Sequence, residues 1–554
     1  MSTLLTLHDP GIARRYYAEG HWREDTLYSL LRHHAKARPQ AYALRDGRRR
    51  LTWRALAQWV DALAADLHAG GLKRGQRVSV WLPNRVEAVV VLLACSRNGY
   101  VCNPSLHQNY RVGEVIQLTE RIRSAALFAQ PGYGSDAAQN DVFAAARALP
   151  SMKRVYALAP LTRAASVPEG CHAFPASEGE CGALPPADDN PDKIAYLAFT
   201  SGTTGTPKGV LHSDNTLLAN GRAMVDDWRH DERTVLFSHS PLSHHIGTVA
   251  IEQSLVAGFE VVVNDLPDGM KPLDRIVESG ATYVMGVPTH AMDILADMKR
   301  RGMEKLGRVT VFYMAGSVIP PETARAFLGM GVKPLNVYGM TENGSHQYTL
   351  PDDDAQTITS TCGKACSGYE TRIWDQENGD REAVTGEIGE IGTRGALLTL
   401  GYFDNQSATE SSFNAGGWFM SGDLGRLDAQ GNLTIVGRMK DLIIRGGHNI
   451  HPSHIENLVL KHAAVLKAAA YPVADARLGE RVCLAVIARD GAALEAMALL
   501  DHLHTEGLSK YDMPEYFIAM DAFPLTPSGK ILKRELVEMT RSGRIRPEPV
   551  RWSG

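Results

Sequence analysis

The ten residues Thr200-Ser201-Gly202-Thr203-Thr204-Gly205-Thr206-Pro207-Lys208-Gly209 pack glycines, hydroxyls and one lysine into a single short stretch. Glycines let backbone N–H groups approach a phosphate closely, hydroxyls donate to its oxygens, and a lysine offsets its charge. The apolar run Ile194 to Phe199 just ahead reads as a buried strand, so the stretch is a loop at a strand end. Its pattern is that of a nucleotide-polyphosphate loop but not a Walker A loop. Lys208 is followed by Gly209 instead of Ser or Thr, and the glycines before it lie too close together. A plain kinase or motor ATPase is thereby disfavoured. A flexible Ser/Thr/Gly linker shares this composition, so the remaining motifs decide.

Four further stretches could do chemistry. Asn336-Val-Tyr-Gly-Met-Thr-Glu342 offers a ring to stack on a base, a hydroxyl for phosphate and a carboxylate for Mg²⁺. That ion takes one or two protein carboxylates and completes its shell with substrate phosphates, so one glutamate suffices, although a solvated loop carboxylate is the plain alternative. In Trp418-Phe-Met-Ser-Gly-Asp-Leu424, Asp423 follows a glycine, where it accepts from both ribose hydroxyls or simply stabilises a turn. Gly437-Arg-Met-Lys-Asp-Leu-Ile-Ile-Arg-Gly-Gly-His-Asn-Ile450 sets Arg438, Lys440, Arg445 and His448 around a short strand and turn. Thr526-Pro-Ser-Gly-Lys530 puts a lysine on a glycine-bent turn near the end, where a solubilising charge is the ordinary reading.

These residues need a large scaffold. At 554 residues the chain exceeds one hydrophobic core, so several subdomains are expected. An apolar content of 44% with 22% charged residues fits a globular protein. A formal charge of −4 without a basic tract argues against nucleic acid or an anionic membrane as partner. The amino terminus lacks the basic start and apolar core of a signal peptide, and Ala88 to Cys95 is too short to span a bilayer. The seven scattered cysteines predict free thiols and a reducing cytoplasm, and Cys362 and Cys366 lack the second pair that a metal site needs. Leu51 to Leu67 reads as a helix closed by Gly70-Gly71. Arg77 to Leu82, Val235 to Phe237, Glu260 to Val263, Thr282 to Met285 and Val309 to Tyr313 read as strands. Such alternation predicts parallel sheet covered by helices, with ligands at the carboxyl ends of strands. Pro160 to Pro191, rich in Pro, Ala, Glu and Asp, reads as a surface connection.

The motifs, in this order and spacing, resemble those of the adenylate-forming superfamily: acyl-CoA synthetases, aryl-CoA ligases, luciferases and peptide-synthetase adenylation domains. The resemblance runs from about Leu51 to Leu536, with two mild departures, Ser421 and Ser243. It implies an α/β fold: a large N-terminal domain, residues 1–439, of two αβ sheets plus a small β-barrel. A small mobile α+β C-terminal domain, residues 440–554, would follow, hinged at Lys440. The implied substrates are ATP with Mg²⁺, a small carboxylic acid and coenzyme A. Thr200, Ser201, Gly202, Thr203, Thr204, Gly205 and Lys208 would hold the β- and γ-phosphates, with Thr204 and Glu342 at the metal. Gly316, Asn336, Tyr338 and Gly339 would frame the adenine, Thr341 would reach a phosphate, and Asp423 and Arg438 would hold the ribose. Lys530 would bridge the carboxylate and the α-phosphate. Rotation about Lys440 would then withdraw it and bring Gly447 to a thiol tunnel.

The same resemblance places His244, His245, Gly286, Val287, Met314, Ala315, Gly339, Met340 and Gly344 around the acyl group. His244 is then either a gate between half-reactions or a hydrogen-bonded structural histidine. The glycines, alanine and methionines imply a roomy apolar pocket without a fixed cation, which disfavours dicarboxylates and amino acids. Tyr17-Ala-Glu-Gly-His-Trp-Arg and Thr341-Glu-Asn-Gly-Ser-His-Gln-Tyr look most like ligases for alicyclic or medium-chain acids, such as cyclohexanecarboxylate–CoA ligase. Aromatic and terpenoid acids stay open. So do a carrier protein as thiol acceptor, a luciferase-like oxidation, a non-catalytic nucleotide sensor, and a monomeric or homodimeric state.

Overall fold

The computed structural model describes residues 9–161, 166–177, 184–200, 207–267, 269–316, 319–489, 492, 494–525 and 531–552. The strand–helix alternation builds two sheets. In the nine-stranded sheet, six strands run parallel in the order Lys333–Met340, Val311–Ala315, Tyr283–Gly286, Val235–Ser238, Glu260–Val263, Tyr42–Arg45. Antiparallel strands Gly344–Tyr348 and Arg50–Thr52 follow outward on either side. The seven-stranded sheet is parallel from His172–Ala173 through Arg154–Ala157, Ser124–Ala129, Arg77–Trp81 and Val101–Asn103 to Ile194–Phe199. Gly209–Ser213 closes its far edge antiparallel to Ile194–Phe199. Strands buried on both faces read as continuous apolar runs, which is why the parallel ones stand out in the sequence.

Element boundaries moved where local hydrogen bonding overrode hydropathy. The helix expected from Leu51 starts at Trp53 because Leu51 is taken into the strand Arg50–Thr52, and the Thr52 hydroxyl caps the helix on the Ala55 N–H. The strand expected from Val309 starts at Val311, since the Val309 N–H is spent in a turn on the Leu306 carbonyl. In the described parts of the Pro160 to Pro191 connection the only strand is His172–Ala173.

The chain divides into two compact units. The first holds the chain up to Thr371 apart from the loop after Thr200, together with Arg394–Phe413; the second holds Arg372–Thr393 and everything from Asn414. The expected hinge at Lys440 therefore lies inside the second unit, in the 3₁₀ turn Met439–Asp441, while the unit itself starts earlier along the chain. The small sheet expected as a barrel is four-stranded, with Gly389–Gly395, Phe419–Leu427 and Leu433–Arg438 antiparallel. Beyond it, Val465–Asp475 and Gly479–Ala488 form a long hairpin. Its inner face (Ala470, Leu484 and Val486) packs with Ile455, Leu500 and Leu503 from two helices.

A buried ion cluster fixes part of the first unit. Arg49 and Arg85 both clasp Glu87, at 2.6 and 2.7 Å, and Arg49 also holds Asp46 at 2.5 Å. Arg85 further donates to the side chain of Gln130 and the carbonyl of Ala159. The cluster ties the turn after Tyr42–Arg45, in one sheet, to the helix Val86–Asn98 that follows Arg77–Trp81 in the other.

Candidate active site

The strands flanking the loop after Thr200 pair as a hairpin. Phe199 pairs with Gly209, and the Thr200 N–H donates to the Lys208 carbonyl at 2.9 Å, so Thr200 and Lys208 sit side by side. Ser201, Gly202, Thr203, Thr204 and Gly205 lie outside the described residues, as does Lys530. The base of the hairpin is held from two sides. Arg121 donates to the Pro207 carbonyl at 2.5 Å. The segment 399–403 adds alongside Gly209–Ser213, with Phe403 N to Gly209 O at 2.7 Å and Leu211 N to Gly401 O at 3.0 Å.

That segment carries Tyr402, which the sequence reading passed over. Lys208 Nζ sits 4.5 Å from the centre of the Tyr402 ring, and the Tyr402 hydroxyl donates to Glu342 Oε1 at 2.9 Å. The loop lysine and the Glu342 carboxylate, far apart in the chain, thus meet through one aromatic side chain. Burial first, then the Glu342 carboxylate, pushes the Tyr402 phenol up, so it stays a donor. The Gly401-Tyr402-Phe403 run after an apolar stretch was the available signal.

Glu342 is presented by a tight hairpin between Lys333–Met340 and Gly344–Tyr348. The turn is closed by Asn343, whose side-chain oxygen accepts from Met340 N at 3.0 Å while its own N–H donates to the Met340 carbonyl. The backbone here leaves no room: a Cβ on Gly339 would lie 1.8 Å from the Gly344 carbonyl oxygen. Gly344 has φ +58°, and a Cβ there would lie 2.5 Å from Asn220 Oδ1. Gly339→Ala is accordingly expected to open this turn. Circular dichroism melting should fall by several degrees, and ATP protection against limited proteolysis should be lost. An unchanged melt would show that the turn tolerates the side chain.

The other expected adenine and acyl residues cluster at the carboxyl ends of the same parallel strands, as the topology requires. Gly286 ends one strand and Val287 follows it; Met314 and Ala315 end the next, with Gly316 directly after at φ +91°. Asn336 and Tyr338 lie on the third. The Asn336 side chain already donates to the Thr361 carbonyl at 2.8 Å, and Tyr338 stands edge-on to His346 at 5.3 Å.

Histidines form stacked pairs around this rim. His107 stacks on His244 at 4.2 Å, His212 on His245 at 5.3 Å, and His239 on His290 at 4.6 Å. His212 also bonds the Thr341 carbonyl at 2.7 Å and the Thr216 hydroxyl at 3.0 Å, which steadies the turn beside Glu342. Burial lowers His107 to about 3 and His212 to about 4, and it lowers His245 strongly too, with its stacking neighbour adding to the effect. These imidazoles are neutral at physiological pH. His107, His212 and Tyr402 carried no motif in the sequence, since their roles come from contacts across the fold.

The second unit holds the remaining expected residues. Asp423 and Arg438 are cross-strand partners, with Arg438 Nε 2.9 Å from Asp423 Oδ1. The guanidinium thus orients the carboxylate that was expected to take the ribose. Lys440 is exposed, and Gly447 forms with Gly446 a two-residue hairpin turn, φ +58° and +86°, of the kind that only glycine, asparagine or aspartate readily adopts. Arg445 is drawn to Glu515 at 2.8 Å and His448 to Asp512 at 2.7 Å, so those two side chains brace the second unit itself.

The sequence profile of AMP-binding enzymes matches residues 31–403, and that of the AMP-binding enzyme C-terminal domain matches residues 454–530. The chain belongs to the AMP-binding enzyme family. It is similar to the 2-hydroxy-7-methoxy-5-methyl-1-naphthoate–CoA ligase of Streptomyces carzinostaticus, 32% identical over 95% of this chain and 95% of that one. It is also similar to the medium-chain fatty-acid–CoA ligase of Escherichia coli K12, 28% identical over 96% and 93%. Among solved structures, ATP-bound MatB from Rhodopseudomonas palustris superposes with a TM-score of 0.81 at 28% identity, covering 94% of this chain and all (100%) of that one. The chemistry of the family makes this protein an AMP-forming acid–thiol ligase.

Tyr402→Phe tests the link between loop and carboxylate. Loss of a hydrogen bond to a charged acceptor is expected to raise the KM for MgATP about tenfold in pyrophosphate-release assays. The melting temperature should stay close to wild type. An unchanged KM would remove Tyr402 from the site.

Proposed function

We propose that the protein is an ATP-dependent carboxylic acid–CoA ligase of the cytoplasm. It acts on an acid with one carboxylate and a cyclic, aromatic or medium-chain body. The acid carboxylate attacks the α-phosphate of ATP, giving acyl-AMP and pyrophosphate. The thiol of coenzyme A then attacks the acyl carbon and AMP leaves. The observation that carries the reading is the junction of Lys208, Tyr402 and Glu342 at the base of the phosphate-loop hairpin. It brings a cation for phosphates and a carboxylate for a metal to one point. Similarity to CoA ligases over nearly the whole chain supports the same reading.

Magnesium fits the donor set. Among the described residues no group of three or more His, Cys, Asp or Glu side chains is placed to hold a metal ion, whereas Glu342 is a single buried carboxylate near Lys208. A hard cation held by one carboxylate, with Thr204 as the expected second ligand, would take its other oxygens from phosphates and water, the Mg²⁺ pattern. Such an ion neutralises charge on the β- and γ-phosphates. Lys208 would do so from the loop, Thr341 would add a hydroxyl, and Asp423, set by Arg438, would accept from the ribose. Lys530 would neutralise the carboxylate and the α-phosphate together, then leave by rotation of the C-terminal domain about Lys440, which brings Gly447 to the thiol.

Release of pyrophosphate and AMP from ATP with Mg²⁺ tests this with cyclohexanecarboxylate, benzoate, octanoate and a bulky terpenoid acid, each with and without coenzyme A. AMP that requires both one acid and coenzyme A supports the ligase. Pyrophosphate indifferent to coenzyme A points to a carrier-protein thiol. No turnover with any acid would overturn the reading.

A further inference from the structure

The helix His245–Ala257 begins at the acyl-site histidines and runs into the first unit between the helix Asp214–Trp228 and the nine-stranded sheet. His245, Thr248 and Glu252 fall at i, i+3 and i+7, on one helix face. The first two end on the same group: His245 Nδ1 lies 3.3 Å and the Thr248 hydroxyl 3.4 Å from the Tyr196 phenol oxygen. The third, one turn deeper, has nothing to meet. Glu252 is 0% exposed, and neither carboxyl oxygen has a hydrogen-bond partner or counter-charge among the described residues.

Its surroundings are tied to residues expected around the acyl group, since Tyr313 shares a strand face with Ala315. Tyr313 directly precedes Met314, Ser345 directly follows Gly344, and the Tyr313 hydroxyl and Ser345 Oγ meet at 2.9 Å. Burial raises the phenols of both Tyr196 and Tyr313, and a charge on Glu252 would raise each further, so Glu252 lies within electrostatic reach of both. Gly221 brings the neighbouring helix against the Glu252 backbone, where a Cβ would lie 2.8 Å from its carbonyl carbon. Buried polar groups are almost always paired, and an unpaired one in apolar surroundings is costly. Burial strongly raises this carboxyl, so it is held as the neutral acid. A neutral carboxyl presents one O–H donor and one carbonyl acceptor side by side. A hydroxyl group, itself donor and acceptor, matches both; a hydrocarbon end matches neither.

We propose that Glu252 forms the inner end of the acyl site and selects carboxylic acids bearing a hydroxyl group remote from the reacting carboxylate. This rests on the ligase reading above and names its substrate class. The single carboxylate and cyclic or chain-like body remain, and the far end is polar.

The experiment compares matched acids on the full-length protein: benzoate with 3- and 4-hydroxybenzoate, cyclohexanecarboxylate with its 4-hydroxy derivative, octanoate with 8-hydroxyoctanoate. AMP formation gives kcat/KM, and calorimetry without ATP gives acid binding. In at least one pair the hydroxylated acid is expected to win by about tenfold or more. Glu252→Leu is expected to abolish or invert that preference, and Glu252→Gln, which keeps a donor and an acceptor, to retain most of it. Wild-type preference for the plain acid in every pair, or a Leu variant with the wild-type ratio, overturns the proposal. Should the Leu variant fail to fold, the wild-type ratios and the Gln variant still decide. Absence of AMP from every acid would sink the ligase reading instead. In that case the calorimetric preference judges Glu252 alone, and equal or absent binding of the hydroxylated acids counts against it.

Discussion

Lys530→Ala is expected to slow acyl-AMP formation by about two to three decades while leaving thiolysis of supplied acyl-AMP close to the wild-type rate. In the first half-reaction two anions must meet, and negative charge grows on the α-phosphate as the carboxylate attacks. A lysine positioned on both offsets that charge only in the transition state, so its loss appears in kcat for adenylation far more than in the KM for ATP. In the second half-reaction a neutral or thiolate nucleophile replaces the carboxylate, and the lysine has no charge left to bridge. Single-turnover pyrophosphate release and acyl-CoA formation from synthetic acyl-AMP separate the two. Equal losses in both would remove Lys530 from its assigned role.

Glu87→Ala is expected to destabilise the first unit by about 3–5 kcal/mol, because it leaves Arg85, buried, and Arg49, partly buried, without their shared counter-charge. Calorimetric unfolding should show the loss in the transition of that unit, and Glu87→Gln should lose less. The pH dependence has a definite sign. Burial alone would raise the Glu87 carboxyl, but hydrogen bonds from Arg85 and Arg49 bring it down to about 2, from 4.5 in an unfolded chain. Its contribution is therefore complete above pH 4.5 and fades as the pH falls through 2. The gap between wild type and Glu87→Ala should be constant from pH 8 to pH 5 and narrow only below. A gap that widens in acid would contradict the cluster.

The parallel strands were legible because burial on both faces leaves unbroken apolar runs: Ile194–Phe199 and Glu260–Val263 lie where hydropathy put them. The motifs were legible because a phosphate loop needs its glycines and lysine adjacent in sequence. Tyr402, His107 and His212 were not, since each acts on residues distant in the chain: Tyr402 on Glu342, His212 on Thr341, His107 on His244. Glu252 was missed for the same reason. In sequence it is one glutamate within a helix, and only the fold shows that nothing answers it. The compact second unit begins before Lys440 because the strand Leu433–Arg438 packs with the helix Pro452–Val459, whose Ser453 hydroxyl donates to the Val436 carbonyl, a contact no local pattern announces.

The stacked imidazoles set how this enzyme reads acidity. With His107 held at about 3, His212 at about 4, and His245 far below its ordinary value, these rings carry no net charge throughout the range a cell experiences. They behave as flat, polarisable walls, closer to phenylalanine that can hydrogen-bond than to a titrating buffer. A ligand at this rim consequently meets shape and dipole instead of charge, and that stays the same when the surroundings acidify mildly.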